Sequence, residues 1–281
     1  MKLHDGDEPD LVKLSRHGSV LTIRLSSPDT RNAISIELRE QLGRAIEIAE
    51  RDTTVRAVFL TADGPTFCSG GDLKMLTKQC DPWTVHRRFR SLSRWLAPLI
   101  NLDKPVVVGM RGAAVGGGMG LALTGDIIIG GESAKLVAGF FRVGVIPDVA
   151  AMYHLPRLIG MARAKNFIYS GGTLSAQEAL ELGLFAKVVP DDEVEEAGLA
   201  EAMRLAEGPA EVMGLAKKMM ARSFETSLAT MLDLEGYGQV LAQSSPEFHE
   251  GISAILERRI PEFARASAKA ALGGDASRTE S

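Results

Sequence analysis

Two glycine-rich turns, each placed just after a short apolar run, constrain this chain more than any other feature. The first is Phe67-Cys68-Ser69-Gly70-Gly71-Asp72, following Val55 to Leu60; the second runs from Gly112 to Gly120, with Gly116-Gly117-Gly118-Met119-Gly120 at its centre, following Val106 to Met110. Both preceding runs are too short for helices and rich in β-branched residues, as strands are. Glycine leaves the backbone bare of side chains, so two such loops are able to aim one N–H group each at a single oxygen atom. After Gly118, the stretch Met119 to Leu123 reads as a buried apolar helix, whose first turn adds unpaired N–H groups and a partial positive charge beside Gly117. Taken singly, either loop is equally well explained as a tight turn; the pair points to an oxyanion-binding site.

The surrounding pattern alternates strand and helix up to about residue 190. Val20 to Leu25 alternates like a strand, and Leu38, Leu42, Ala45, Ile46 and Ala49 recur at helical spacing. After Val55 to Leu60 comes a polar helix around His86 to Leu96, then the strands Val106–Met110, Asp126–Ile129, Lys135–Val137 and Lys187–Val189. Such alternation predicts an α/β core with parallel strand pairs. From Asp191 the character turns helical, over Glu193–Glu207, Ala210–Arg222, Ser227–Gln243 and Pro246–Ile260. Met213, Leu215, Met219, Met220, Met231 and Leu232 give these helices apolar faces that need a cover. Residues 264–281 are small, polar and low in complexity, and are expected to be disordered.

Composition narrows the function classes. At 281 residues the chain is long enough for one large domain or one domain with a helical appendage. A net charge of −4 with scattered basic residues leaves no footprint for nucleic acid. Met1 to Asp10 is acidic and polar, unlike a signal peptide. The apolar stretch from Pro105 to Gly125 is broken by Arg111 and crowded with glycine, unlike a membrane span. A cytoplasmic location without a membrane partner is the expectation. Cys68 and Cys80 are too few for a disulfide framework or a zinc site, and no metal is implied. Cys68 has no histidine near it in sequence and reads as a small buried residue. A dinucleotide fingerprint would need glycine where Leu121 or Leu123 stands, and no phosphate loop is present, so neither NAD nor ATP is implied.

In order and content these motifs resemble the enoyl-CoA hydratase/isomerase, or crotonase, family over nearly the whole chain. The matching segments are Pro28 to Ala33, Phe67 to Leu73, Lys104 to Asp126, Val143 to Asp148, Leu155 to Gly160 and Glu250 to Arg259. The resemblance implies a ββα spiral core with an acyl-CoA site over residues 1–190, a helical trimerisation region over 191–263, and a tail over 264–281. It implies a homo-oligomer, a trimer or a pair of trimers. It places the backbone N–H groups of Ser69 and Gly117 on the thioester carbonyl oxygen, where losing one donor costs about 100- to 1000-fold in rate. For the CoA moiety it implies contacts from Arg31, Ala33, Phe67, Ser69, Gly70, Gly71, Asp72, Leu73 and Lys74. Arg31 or Lys74 would reach the phosphates and Asp72 would brace the loop. No cofactor is implied beyond the CoA of the substrate.

The chain departs from that family at the acids. Where hydratases of the family carry two glutamates that hold the added water, this sequence has Gly120 and Phe140, neither able to transfer a proton. Asp148, after Ile146-Pro147, stands in the slot where certain family isomerases carry a catalytic aspartate. A carboxylate there is placed to move a proton between carbons of the acyl chain; it is equally placed to cap a helix beginning with Val149. Phe140 and Phe141 are candidate apolar walls that would raise its pKa. Tyr153, His154, Glu132 and His86 read as core or surface residues. Isomerisation of an unsaturated acyl-CoA is therefore the leading expectation. The alternatives are a hydratase, dehalogenase or thioester hydrolase using other groups, or a non-catalytic acyl-CoA-binding subunit.

Overall fold

The structure, a computed structural model, describes residues 9–72, 77 and 81–276. Strands β1 (Val12–His17) and β2 (Val20–Leu25) form an antiparallel hairpin that turns at Gly18, whose φ of 58° suits glycine. Helix α1 (Ile36–Arg51) starts where the Ser35 hydroxyl accepts the Leu38 N–H, and it buries the predicted stripe Leu38, Leu42, Ala45, Ile46 and Ala49. There follow β3 (Ala57–Ala62), α2 (Pro82–Arg90), α3 (Ser93–Ile100), β4 (Val106–Met110), β5 (Ala113–Val115), α4 (Gly117–Ala122), β6 (Ile127–Gly131) and β7 (Lys135–Val137). Then come α5 (Ala151–Ile159), α6 (Met161–Ser170), β8 (Thr173–Ser175), α7 (Ala176–Glu181) and β9 (Lys187–Val189). The single polar helix predicted around His86 to Leu96 is thus two helices.

Strands β1-β2-β3-β4-β6-β9 form the large sheet, parallel after the first pair; β5-β7-β8 form a small one. Every residue of β3 and β4 is buried, as expected of a parallel sheet covered on both faces. Each of β4 and β6 leaves the large sheet and contributes the next strand, β5 or β7, to the small one. Single bridges Ile34–Gly71 and Cys68–Ala114 continue the small layer into the first glycine-rich loop. This matches the ββα spiral that the resemblance implies, and its consequence is local: both glycine loops lie in one layer, side by side.

Helix α8 (Val194–Ala206) closes the outer face of the large sheet, with Val194, Ala202 and Leu205 packed against Phe59, Val107 and Ile129. Beyond it run α9 (Ala210–Arg222), α10 (Leu228–Gln243), α11 (Pro246–Glu257) and α12 (Phe263–Ala276). The last of these occupies a stretch expected to be disordered from residue 264. Its alternating alanines, Ala264, Ala266 and Ala268, are the best intrinsic helix formers, a preference that the polar, low-complexity reading outweighed.

One buried ion pair fastens α11 to the core. The Arg56 guanidinium donates to the carbonyls of Ala206 (2.8 Å) and Gly208 (2.7 Å) and to Glu247 Oε1 (2.9 Å). Removing one partner of such a pair strands the other charge away from water. Glu247→Ala is therefore expected to lower unfolding free energy by about 3–5 kcal/mol in urea titrations, and the double replacement Arg56→Met with Glu247→Leu by much less.

Candidate active site

The two glycine loops interlock through backbone atoms. Cys68 N–H donates to the Ala113 carbonyl (3.2 Å) and Val115 N–H to the Cys68 carbonyl (2.9 Å), so the first loop runs parallel to β5 at Cys68. Gly70 has φ +86°, and a Cβ there would lie 2.5 Å from the Val115 oxygen and 3.3 Å from the Gly117 nitrogen. A Cβ on Gly118 would lie 2.8 Å from the Cys68 carbonyl carbon. Only glycine allows this approach at either position.

That geometry changes which N–H is available. Ser69 N–H donates to the Arg31 carbonyl at 3.0 Å, so the donor predicted from the motif is already engaged. Gly70 turns its carbonyl to the Ile34 N–H (2.8 Å) in the bridge that pairs Ile34 with Gly71; the N–H of Gly71 therefore faces the opposite way. Gly71 is exposed, and among the described residues its N–H has no partner. In the second loop Gly116 N–H is spent on the Val137 carbonyl (2.9 Å) and Gly120 N–H on Gly116 (3.1 Å), leaving Gly117 N–H open. Gly71 and Gly117 thus each keep an N–H open, one in each loop.

The loops are braced by a residue whose role the sequence did not reveal. Asn32, fully buried at φ 53°, donates from Nδ2 to the carbonyls of Asp63 and Thr66 (both 2.9 Å) and accepts the Ser27 N–H on Oδ1 (2.8 Å). Its carbonyl receives the Cys68 thiol at 3.0 Å. Arg31, also left-handed at φ 54°, is exposed beside it, and Ala33 is half-buried. Burial pushes the Cys68 thiol up to about 12, which suits a packing residue and not a nucleophile. The Phe67 side chain lies in the core, so only its backbone faces the loop, while Asp72 is half-buried. Leu73 and Lys74 lie outside the described residues.

At the acid positions the space itself has changed. A Cβ on Gly120 would fall 2.9 Å from the Cβ of Val149 and 3.0 Å from its carbonyl carbon, so backbone fills the room a longer side chain would need. Phe140 is buried, with its ring 3.6 Å from where a Cβ on Gly116 would sit. Phe141 is instead 44% exposed and stacks on Tyr169, which removes it as a wall of the site.

Asp148 is the carboxylate beside the second loop. Its Oδ1 lies 3.2 Å from the Cβ position of Gly117, with Val149 Cγ2 at 3.0 Å and Ile34 Cδ1 at 3.6 Å around the same point. It caps nothing: α5 begins only at Ala151, its N-terminus has no side-chain cap, and Asp148 contributes just its carbonyl to the Ala151 N–H (2.9 Å). Between them Val149 and Ala150 are both left-handed, at φ 47° and 59°. For a β-branched residue this is an outlier, and each such residue costs on the order of 1–3 kcal/mol. Burial raises the Asp148 carboxyl above its ordinary 3.8, and the positive charge of Arg39 pulls in the opposite direction. His154 lies behind this turn, held down to about 4 by burial, and therefore neutral; Glu132 and His86 are exposed. Among the described residues no His, Cys, Asp and Glu side chains cluster as a metal site, and no helix is long and apolar enough to cross a membrane.

Two glycine loops with an open N–H each, the second beside a carboxylate and apolar side chains, define a protein class, and comparison identifies it. The sequence profile of the enoyl-CoA hydratase/isomerase family matches residues 15–266. The chain is 38% identical over 252 residues to the 1,2-epoxyphenylacetyl-CoA isomerase of Escherichia coli, covering 87% of this chain and 94% of that protein. It is 34% identical to a probable enoyl-CoA hydratase of Rhodobacter capsulatus, over 86% of this chain and 93% of the other. The crystal structure of an enoyl-CoA hydratase/isomerase from Cupriavidus metallidurans superposes with a TM-score of 0.87 at 30% identity, over 92% of this chain and 97% of that one. The chain belongs to the enoyl-CoA hydratase/isomerase family.

Proposed function

We propose that this protein isomerises the double bond of an unsaturated acyl-CoA, with Asp148 as the group that carries the proton. The carrying observation is the Asp148 carboxylate beside Gly117, in a site where Gly120 and Phe140 offer no acid for holding water. The thioester oxygen would accept from the N–H groups of Gly71 and Gly117, the former in place of Ser69. Asp148 removes a proton from one carbon of the chain, negative charge builds on the thioester oxygen, where the two donors stabilise it, and Asp148 returns the proton to another carbon. Atoms and charge balance without a second reactant, so no cofactor is proposed beyond the CoA of the substrate. The Escherichia coli relative is named an isomerase of an epoxide, which supports isomerisation as the class of reaction; the name of the Rhodobacter relative is the competing reading.

For the CoA moiety we assign contacts to Arg31, Ala33 and the backbone of Phe67 and of Gly70 to Asp72. Phe140, Ile34 and Val149 would line the acyl chain. Exposed Met220, Phe224, Leu228, Leu232, Tyr237 and Leu241 on and between α9 and α10 support self-association, as a trimer or hexamer.

Two assays divide the readings. A 3-enoyl-CoA should gain the absorbance of the conjugated thioester, whereas crotonyl-CoA should lose its own only negligibly, because nothing at 120 or 140 activates water. Rapid hydration of crotonyl-CoA without isomerisation would replace this proposal with the hydratase reading. Because abstraction needs the ionised carboxylate, kcat/KM should rise with pH through a midpoint above 3.8.

A further inference from the structure

We infer that Arg39 is a specificity residue, and that the acyl chain this enzyme takes carries a carboxylate at its far end, received by the Arg39 guanidinium. The inference rests on the acyl-CoA reading above and deepens it. Arg39 stands in the first turn of α1, five residues after Ile34, which itself packs at Gly117. It is only 9% exposed, yet its Nε and Nη1 are buried without any hydrogen-bond partner. Buried donors on a charged group are rarely left so, because each forfeits its hydration without compensation.

The nearby charges sharpen the point. Asp148 attracts the Arg39 charge and Arg88 of α2 repels it, and no hydrogen bond joins Arg39 Nε or Nη1 to Asp148. The carboxylate that acts on Arg39 is thus one committed to the proton. A carboxylate on the substrate supplies the partner that Nε and Nη1 lack. Arginine suits a carboxylate in particular, since its planar fork meets both oxygens at once. Arg39 also edges a groove between α1 and α3, in which Glu40, Glu47 and Glu50 are matched in number by Arg44, Arg51 and Arg94 and none of these bonds Arg39 Nε or Nη1. A purely supporting arginine would be expected to bond a backbone carbonyl or the Asp148 carboxylate; this one bonds neither.

The test uses saturated acyl-CoAs, which bind but have no double bond to move, so its outcome is separate from the isomerase assay. Hexanoyl- and octanoyl-CoA are compared by calorimetry with counterparts of equal length ending in hydroxyl or carboxylate. The carboxylate-ended ligands should bind the intact protein about tenfold or more tightly than the methyl-ended ones, with hydroxyl close to methyl. In Arg39→Met that ratio should collapse to about one, and Arg39→Lys, which keeps the charge without the fork, should retain part of it. Equal affinities for methyl and carboxylate ends in the intact protein would overturn the inference, as would an equal gain for hydroxyl, or an unchanged ratio in a folded Arg39→Met. If double-bond isomerisation persists while the preference is absent, only this inference falls; if no acyl-CoA binds, both fall.

Discussion

Asp148→Asn is expected to lower the turnover of double-bond isomerisation by about 100- to 10,000-fold while leaving the fold and acyl-CoA affinity intact. Asparagine keeps the size and the carbonyl that accepts the Ala151 N–H, but it cannot take up a proton. A capping aspartate would show the reverse, losing stability before chemistry, and here no cap exists to lose. The sign of the stability effect follows from the raised carboxyl. The folded protein holds the Asp148 proton more tightly than the unfolded chain does, so this residue favours folding below its unfolded pKa and loses that contribution as pH rises through the folded value. At neutral pH the asparagine variant should therefore melt at the parent temperature or slightly above it, in a thermal scan read beside the kinetics. Activity retained at the parent rate would show that the base lies elsewhere.

Gly120→Glu restores the residue type that hydratases of this family place there, and we expect it to yield no hydratase. Its Cβ would meet Val149 at 2.9 Å before the rest of the side chain is considered, and Val149 is already held left-handed. Relief requires the Val149-Ala150 turn to move, and Asp148 moves with it. Isomerase turnover should fall by about 100-fold or more, crotonyl-CoA hydration should stay at background, and stability should drop by about 1–3 kcal/mol, the usual range for overpacking. The acid at 120 and the carboxylate at Gly117 are thus alternatives enforced by one strained turn. A Gly120→Glu variant that hydrates crotonyl-CoA efficiently with normal stability would contradict this.

Much of this site was legible in the sequence because glycine carries positional information. The need for glycine at Gly70 and Gly118 is a property of residue type, and the strand-loop pattern put both loops after strands that proved to be neighbours. What the sequence does not contain is the direction of an N–H. In an extended segment donors alternate sides, and the left-handed Gly70 interrupts that alternation, so Ser69 faces Arg31 while Gly71 faces the other way. The turn at Val149 and Ala150 was hidden for a similar reason: neither residue favours positive φ, and Asp148 followed by an apolar run looks like an ordinary helix start. Arg39 falls within a stripe read for its leucines, and its burial arises from elements distant in sequence. The helix over residues 263–276 lies at the other extreme, where local alanine propensity was present but was outweighed by polar composition.

The central claim is that Asp148 carries a proton from one carbon of an acyl-CoA to another, and isotope exchange reads that event directly. A series of 3-enoyl-CoA thioesters, methyl-ended and carboxylate-ended, is incubated in deuterium oxide with the parent protein and with Asp148→Asn, and the products are analysed by mass spectrometry. The account predicts a conjugated isomer of unchanged elemental composition, partly labelled with deuterium where Asp148 exchanged its proton with solvent, formed by the parent and suppressed in the asparagine variant. Products heavier by one water, or equal isomer formation by both proteins, would contradict it.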